Sequence, residues 1–249
     1  MNGRAVYMLW LRELKREWRE RSRIVASLAT PILWLFIFGT GLRTGKIPGV
    51  ENYQVFIFPG IIGMTLLFSS IRSGISIIWD KEFGFMKEIL VAPVSRSTII
   101  AGKALGASTN SLVQGLIVLL LGPLIGFWPD PGRVLLALPL MFVISLGLEG
   151  IGLLLGIALD SLEGFQMIMS LLNMPMFFLS GAVFPLSSAP AALVTVSYFD
   201  PLTYGVDALR QLLVGQGGIL PLWADLAFVA IFALVMLGIC VAVLNRKKN

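Results

Sequence analysis

Six apolar runs, each near the 20 or so residues a helix needs to cross a bilayer, alternate with short polar segments along the chain. They run from Ile24 to Leu42, Val55 to Trp79, Ala104 to Trp128, Val134 to Leu159, Phe165 to Phe184 and Leu222 to Leu244. The pattern predicts an all-α integral membrane protein, six transmembrane helices in one transmembrane domain over residues 1–249. Ahead of the first run, Tyr7, Trp10, Leu11, Leu14 and Trp18 recur at helical spacing, with Arg12, Glu13, Lys15, Arg16, Glu17 and Arg19 on the other side. That spacing predicts an N-terminal amphipathic interfacial helix over residues 1–23. A signal peptide fits less well, because such a long amphipathic stretch is not a basic leader region and no A-x-A cleavage site follows. Between the fifth and sixth runs, residues 185–218 are too apolar for a solvated loop and carry Pro190, Pro201 and Gly215 as breaks. They predict short helices, either an outer re-entrant region dipping into the bilayer or a cap packed on the spans.

Composition agrees with the pattern. Hydrophobic residues make up 57% of the chain and charged residues 13%, about half the charged share of a soluble domain. There is no histidine and one cysteine, Cys240, which excludes Ser/His and Cys/His triads, ordinary zinc sites and an internal disulfide. The net charge of +5 comes from bases at membrane boundaries, so the expected partner is anionic membrane lipid and not nucleic acid. Lys and Arg concentrate in the N-terminal segment, in the stretch from Asp80 to Lys103 and in the C-terminal Arg246-Lys247-Lys248, while the opposite side holds Arg43, Lys46, Arg133 and Arg210. By the positive-inside rule both termini are expected in the cytoplasm.

The stretch "DKEFGFMKEILVAPVSRSTIIAGK", Asp80 to Lys103, packs acids, bases and a proline between two apolar runs. It reads as the end of the second span, a short helix around Glu82 to Leu90, a break at Ala92-Pro93, and Ser95 or Ser97 capping the third span. Phe83, Phe85 and Met86 would be exposed on this hydrophilic element, as in a protein interface with an apolar core and a charged rim, or resting on the membrane surface. Neither Gly45-Lys46 nor Gly102-Lys103 has the surroundings of a phosphate-binding loop. The chain is therefore expected not to be an enzyme, and an ATP-driven process would need a separate ATPase.

This stretch resembles the signature of ABC-2-type export permeases, the membrane subunits of ATP-binding-cassette exporters, with Gly84, Glu88, Pro93 and Lys103 at the matching positions. "FFLSGAVFPLSSAP" followed by "FDPLTYGVDALR" is similar to the family's fifth span and outer region, through Ser180, Gly181, Pro185, Pro190, Pro201, Leu202, Thr203 and Arg210. Within the family the chain looks closest to drug-resistance and lipo-oligosaccharide nodulation-export permeases. The resemblance implies a two-fold assembly with a second copy or a homologous permease on cytosolic ABC ATPase subunits. Residues 80–97 would then be a cytoplasmic coupling element contacting the ATPase through Asp80, Glu82, Phe83, Gly84, Phe85, Lys87, Glu88, Pro93 and Arg96. ATP and Mg would be bound by the partner and no cofactor by this chain. The implied substrate is amphipathic or lipid-linked, a drug, lipid or glycolipid/oligosaccharide, exported across the plasma (inner) membrane of a prokaryote.

Within the spans, Arg72 and Glu149 fall at similar depth. They either form a buried pair or find separate solutions, Arg72 by snorkelling and Glu149 by protonation. Gln166, Ser170 and Asn173 form one polar stripe on the fifth span, with Pro175 expected to break the helix beyond it. Ser108, Ser111 and Gln114 form another on the third. Such stripes line a substrate pathway or make interhelical hydrogen bonds, and Gly102/Gly106, Gly122/Gly126 and Gly152/Gly156 have the spacing of close helix packing. A proton-coupled secondary transporter using Glu149 is the alternative function, although it leaves the aromatic coupling segment unexplained.

Overall fold

The computed structural model describes residues 3–41, 52–84, 94–215 and 218–246. Among these the regular elements are helices: α1 (Gly3–Arg19), α2 (Arg21–Gly41), α3 (Tyr53–Arg72), α4 (Ile75–Glu82), α5 (Arg96–Leu119), α6 (Pro131–Ala158), α7 (Leu162–Leu179), α8 (Ala191–Ser197), α9 (Pro201–Leu213) and α10 (Leu222–Arg246). Helix starts follow the side chains that cap them. Asn52, Ser95, Asp130, Ser161 and Asp200 each accept a backbone N–H from the first turn of α3, α5, α6, α7 and α9, satisfying donors that have no intrahelical partner.

Among the described residues, five stretches are long and apolar enough to cross a membrane: Tyr53–Glu82, Arg96–Ile125, Pro131–Ala158, Leu162–Leu179 and Leu222–Arg246. The expected first span falls in α2, whose described apolar stretch, Ile24–Ile37, is shorter. The core is built around α3, which is 83% buried over its apolar window, against 22% for α7 and 17% for α10. Helices α2, α5, α6 and α9 all pack on α3, and α10 lies against α6 and α9.

The sequence expectations are modified at four places. The second span is two helices, since α3 ends at Arg72 and α4 begins at Ile75, with the turn Ser73–Gly74 between them. Gly74 sits against α6 so closely that a Cβ on it would lie 2.0 Å from the Gly152 carbonyl oxygen, and a Cβ on Gly156 would meet the Gly74 carbonyl at 2.4 Å. Pro175 does not end its helix, because α7 continues to Leu179; a proline is tolerated where neighbouring groups absorb the freed carbonyl. Gly122 and Gly126 bound a 3-10 turn in which Gly126 takes φ 77; a Cβ on Gly122 would lie 3.3 Å from the Phe58 ring of α3, whereas one on Gly126 would meet nothing within 4 Å.

The fourth change concerns α1. The helix forms where expected, but it packs on α5 through Leu9, Trp10 and Glu13, while Tyr7 and Trp18 remain exposed. Cβ atoms on Gly102 and Gly106 would come within 2.5 and 2.6 Å of the Leu9 and Glu13 Cβ atoms, and the Trp10 indole donates to Thr109 Oγ1 at 3.1 Å. The small-residue spacing of α5 thus accommodates the amphipathic helix.

In the segment between α7 and α10, Pro190 precedes α8, Pro201 opens α9 and Gly215 follows its end with φ 76, so the predicted breaks are where the chain turns. Helix α9 is buried along most of its length and packs on α3, α6, α7 and α10. Arg210 donates to the Gly181 carbonyl and stacks 4.1 Å over the Phe56 ring. Burial pushes the Asp200 carboxyl up to about 7, opposed by the Leu202 N–H and Thr203.

Candidate functional site

The polar side chains of the spans gather in two connected regions. The first is a buried charge cluster where the end of the second span meets α1 and α5. On α4, Ser76 and Asp80 are one turn apart on the face turned to α5. Lys103 Nζ donates to Asp80 Oδ2 at 2.5 Å, to Glu13 Oε1 at 3.2 Å and to Ser76 Oγ at 3.2 Å. Arg12 reaches the other Asp80 oxygen at 2.8 Å, and Arg16 pairs with Glu13. Asp80 and Lys103 are 3% and 2% exposed, so the two ends of the charged stretch are inside the protein and not in water. Burial of these charges is tolerable because each is matched and hydrogen-bonded.

The next residue points the other way. Lys81 Nζ caps the end of α6, donating to the carbonyls of Ile157 and Leu159 at 2.8 Å each and to Asp160 at 2.9 Å. Arg96, at the start of α5, donates to the Leu244 carbonyl near the end of α10. The short helix α4 is therefore gripped by α1 and α5 through Asp80 and by α6 through Lys81. Glu82 and Phe83 are exposed just beyond, Phe83 at 71%. Gly84 takes φ 77, and a Cβ there would meet nothing within 4 Å, so glycine is favoured by backbone conformation and not by a close contact within this chain. Phe85, Lys87, Glu88 and Pro93 lie outside the described residues.

The second region is a cleft of about 410 Å³ between α2, α3 and α7. The polar stripe of α7, Gln166, Ser170 and Asn173, forms one wall and Ser27 and Thr30 of α2 the other, with Phe68, Phe165 and Met169 between. Arg72 closes its end and also borders a small polar cavity beneath α1 that includes Glu13, Arg16 and Glu17. Asn173 Oδ1 has no hydrogen-bond donor among the described residues. The cleft offers apolar surface alongside neutral donors and acceptors, which suits an amphiphile.

The two polar stripes separate here. On α5, Ser111 exchanges hydrogen bonds with Ser69 and Ser70 at 3.0 and 3.1 Å, and Gln114 accepts from Ser27 at 2.7 Å. Those groups are used between helices, and of the two stripes only that of α7 lines the cleft. Among the described residues no ion pair joins Arg72 to Glu149. Glu149 is fully buried and accepts from Ser73, the residue after Arg72, because the turn at Ser73–Gly74 carries Ser73 toward α6 and Arg72 toward the cleft. Sequence reasoning missed Glu13, Arg12, Ser73 and Lys81 as partners. The signal for Glu13 was Lys103, a lysine two turns inside a helix that had to find acids somewhere.

A family model described as ABC-2 type transporter matches residues 4–214. Nodulation protein J of Rhizobium leguminosarum bv. viciae is 26% identical over 249 residues, covering 96% of this chain and 94% of its own. The inner membrane transport permease YadH of Escherichia coli (strain K12) is 26% identical over 249 residues, covering 98% and 96%. A chain named as the transport permease ycf38 in Cyanophora paradoxa is 31% identical over 194 residues, covering 76% and 67%.

Proposed function

The chain belongs to the ABC-2 type transporter family, and from that membership we propose that it is the membrane-spanning subunit of an ATP-driven exporter. It works with a separate cytosolic ABC ATPase, which binds ATP and Mg, and with a second permease subunit. It crosses the membrane six times, α2 supplying the first span, with both termini in the cytoplasm of a prokaryotic cell. The substrate is an amphipathic or lipid-linked molecule, consistent with the cleft's mixed lining and with relatives whose names speak of nodulation and transport permeases.

The observation that carries this reading is the grip on α4. The ATPase engages the chain beyond Glu82, through Phe83 and the residues up to Pro93. Its closure shifts α4, and because Asp80 and Lys81 tie that helix to α1, α5 and α6, the shift is shared by the bundle. The turn at Ser73–Gly74 is the point at which α4 can move relative to α3, and the cleft lies beside it. Gln166, Ser170 and Asn173 hold the polar part of the substrate, and Phe68 and Met169 its apolar part.

The test is substrate-stimulated ATP hydrolysis by the reconstituted complex, with a series of fluorescent amphiphiles. Gln166→Ala and Asn173→Ala should raise the substrate concentration giving half-maximal stimulation by about tenfold each, the size of a lost hydrogen bond, and leave the unstimulated rate alone. Unchanged half-maximal concentrations in both variants would remove the cleft from the pathway.

A further inference from the structure

A second groove, of about 370 Å³, opens between α6 and α10 beneath the end of α9. Its lining is wholly aliphatic, with Leu136, Leu140 and Val143 from α6, Leu212 from α9, and Leu226 and Val229 from α10. Water finds no partners in such a place. The groove faces outward from the bundle, since Leu136 and Leu226 remain 60% and 39% exposed. Its mouth lies toward the start of α6, at the end of the molecule away from α1, because α1 packs at the opposite end of α5.

A cation stands over that mouth. Arg133 precedes Leu136, Leu140 and Val143 by three, seven and ten residues, which puts it on the same face of α6, a turn nearer the membrane surface. Its guanidinium reaches across to the end of α9, where Nη1 lies 2.7 Å from the position of a Cβ on Gly215. Arg133 is exposed, and among the described residues no carboxylate forms an ion pair with it. Trp128 and Trp223, 78% and 73% exposed, flank the starts of α6 and α10 and mark headgroup depth.

We propose that this groove is a phospholipid site on the leaflet opposite α1, with one acyl chain between α6 and α10 and the lipid phosphate on Arg133. The charge and the shape select the same class of molecule. An acyl chain fills a groove that neither water nor any described side chain fills, and a phosphate at headgroup depth gains a charge-assisted hydrogen bond from the guanidinium. The bound lipid braces α9 from behind, on the side away from the cleft between α2, α3 and α7. The site is therefore distinct from the proposed substrate route and does not depend on it.

Native mass spectrometry of the full chain in mild detergent, titrated with phosphatidylglycerol or with diacylglycerol of the same chains, tests the site. One tightly held phosphatidylglycerol per chain is expected. Arg133→Gln should weaken it by about tenfold while leaving diacylglycerol binding unchanged, and Ala230→Phe, which puts a ring into the groove that Ala230 of α10 lines, should remove the tight binding of both. A second measurement covers the case in which Ala230→Phe does not fold. Phosphatidylglycerol brominated on its chains should quench the fluorescence component lost in Trp223→Phe, saturating at about one lipid per chain and more weakly in Arg133→Gln. Retention unaffected by either substitution, or quenching that rises without saturating, would overturn the proposal.

Discussion

Lys103 is the residue on which the end of the bundle that carries α1 turns. Lys103 is 2% exposed and its ammonium group touches Asp80, Glu13 and Ser76, so replacing it leaves the buried carboxylates of Asp80 and Glu13 with one cation each, Arg12 and Arg16. Removing one member of a buried ion pair typically costs about 3 to 5 kcal/mol, and Lys103→Met should lower the thermal stability of the purified chain accordingly. Arg12 shares Asp80 but keeps 38% of its side chain in solvent, and a half-exposed pair is worth at most about 1 kcal/mol. Arg12→Ala should therefore shift the unfolding temperature only slightly. Equal shifts for the two variants in detergent-solubilised protein would mean that the cluster is not held by Lys103. Little of this was legible in the sequence. The motif carrying Asp80 and Lys103 was visible, but a charged segment between two apolar runs reads as solvated. Lys103 answers Asp80 at 2.5 Å, and Arg12 and Glu13 of α1, distant in sequence, complete the matching of both charges.

At the scale of elements, the contact between α4 and α6 is made by backbones. Gly74 has φ −55, ordinary for any residue, so what forbids a side chain there is the Gly152 carbonyl 2.0 Å from its Cβ position. Gly84 is the opposite case, with open space around it and φ 77. Gly74→Ala must push α4 from α6 and should cost about 1 to 3 kcal/mol or more by overpacking, together with a loss of substrate-stimulated hydrolysis. Gly84→Ala should cost about 1 to 2 kcal/mol of local backbone strain and leave the packing of α4 unchanged, as read by disulfide trapping between cysteines placed on α4 and α6. If Gly74→Ala traps as efficiently as the parent, the close contact does not form. Helix positions, the cap at Ser95 and the breaks at Pro190, Pro201 and Gly215 were legible because they depend on local chemistry. The turn at Ser73–Gly74 was not anticipated, although Ser69, Ser70, Arg72, Ser73 and Ser76 interrupt the apolar run around it, because the break itself is fixed by the close approach of α6. The same turn separates Arg72 from Glu149, which a straight helix would have brought to similar depth.

For the whole molecule, composition and span pattern were enough to predict a helical membrane protein, and the family match extends that to transport. The cleft was only half legible. Two polar stripes looked alike in the sequence, and they differ because α5 is packed on both flanks whereas α7, 22% buried over its window, leaves its polar face open to a cleft. The account's central claim is that this chain moves its substrate only when a separate ATPase acts on it through α4. The most direct measurement reconstitutes the chain in vesicles, alone and with its ATPase, and follows a fluorescent amphiphile under a proton gradient or with ATP. The account predicts no transport by the chain alone under the gradient, and transport by the complex only when ATP is hydrolysed. Gradient-driven transport by the chain alone, abolished by Glu149→Gln, would contradict it.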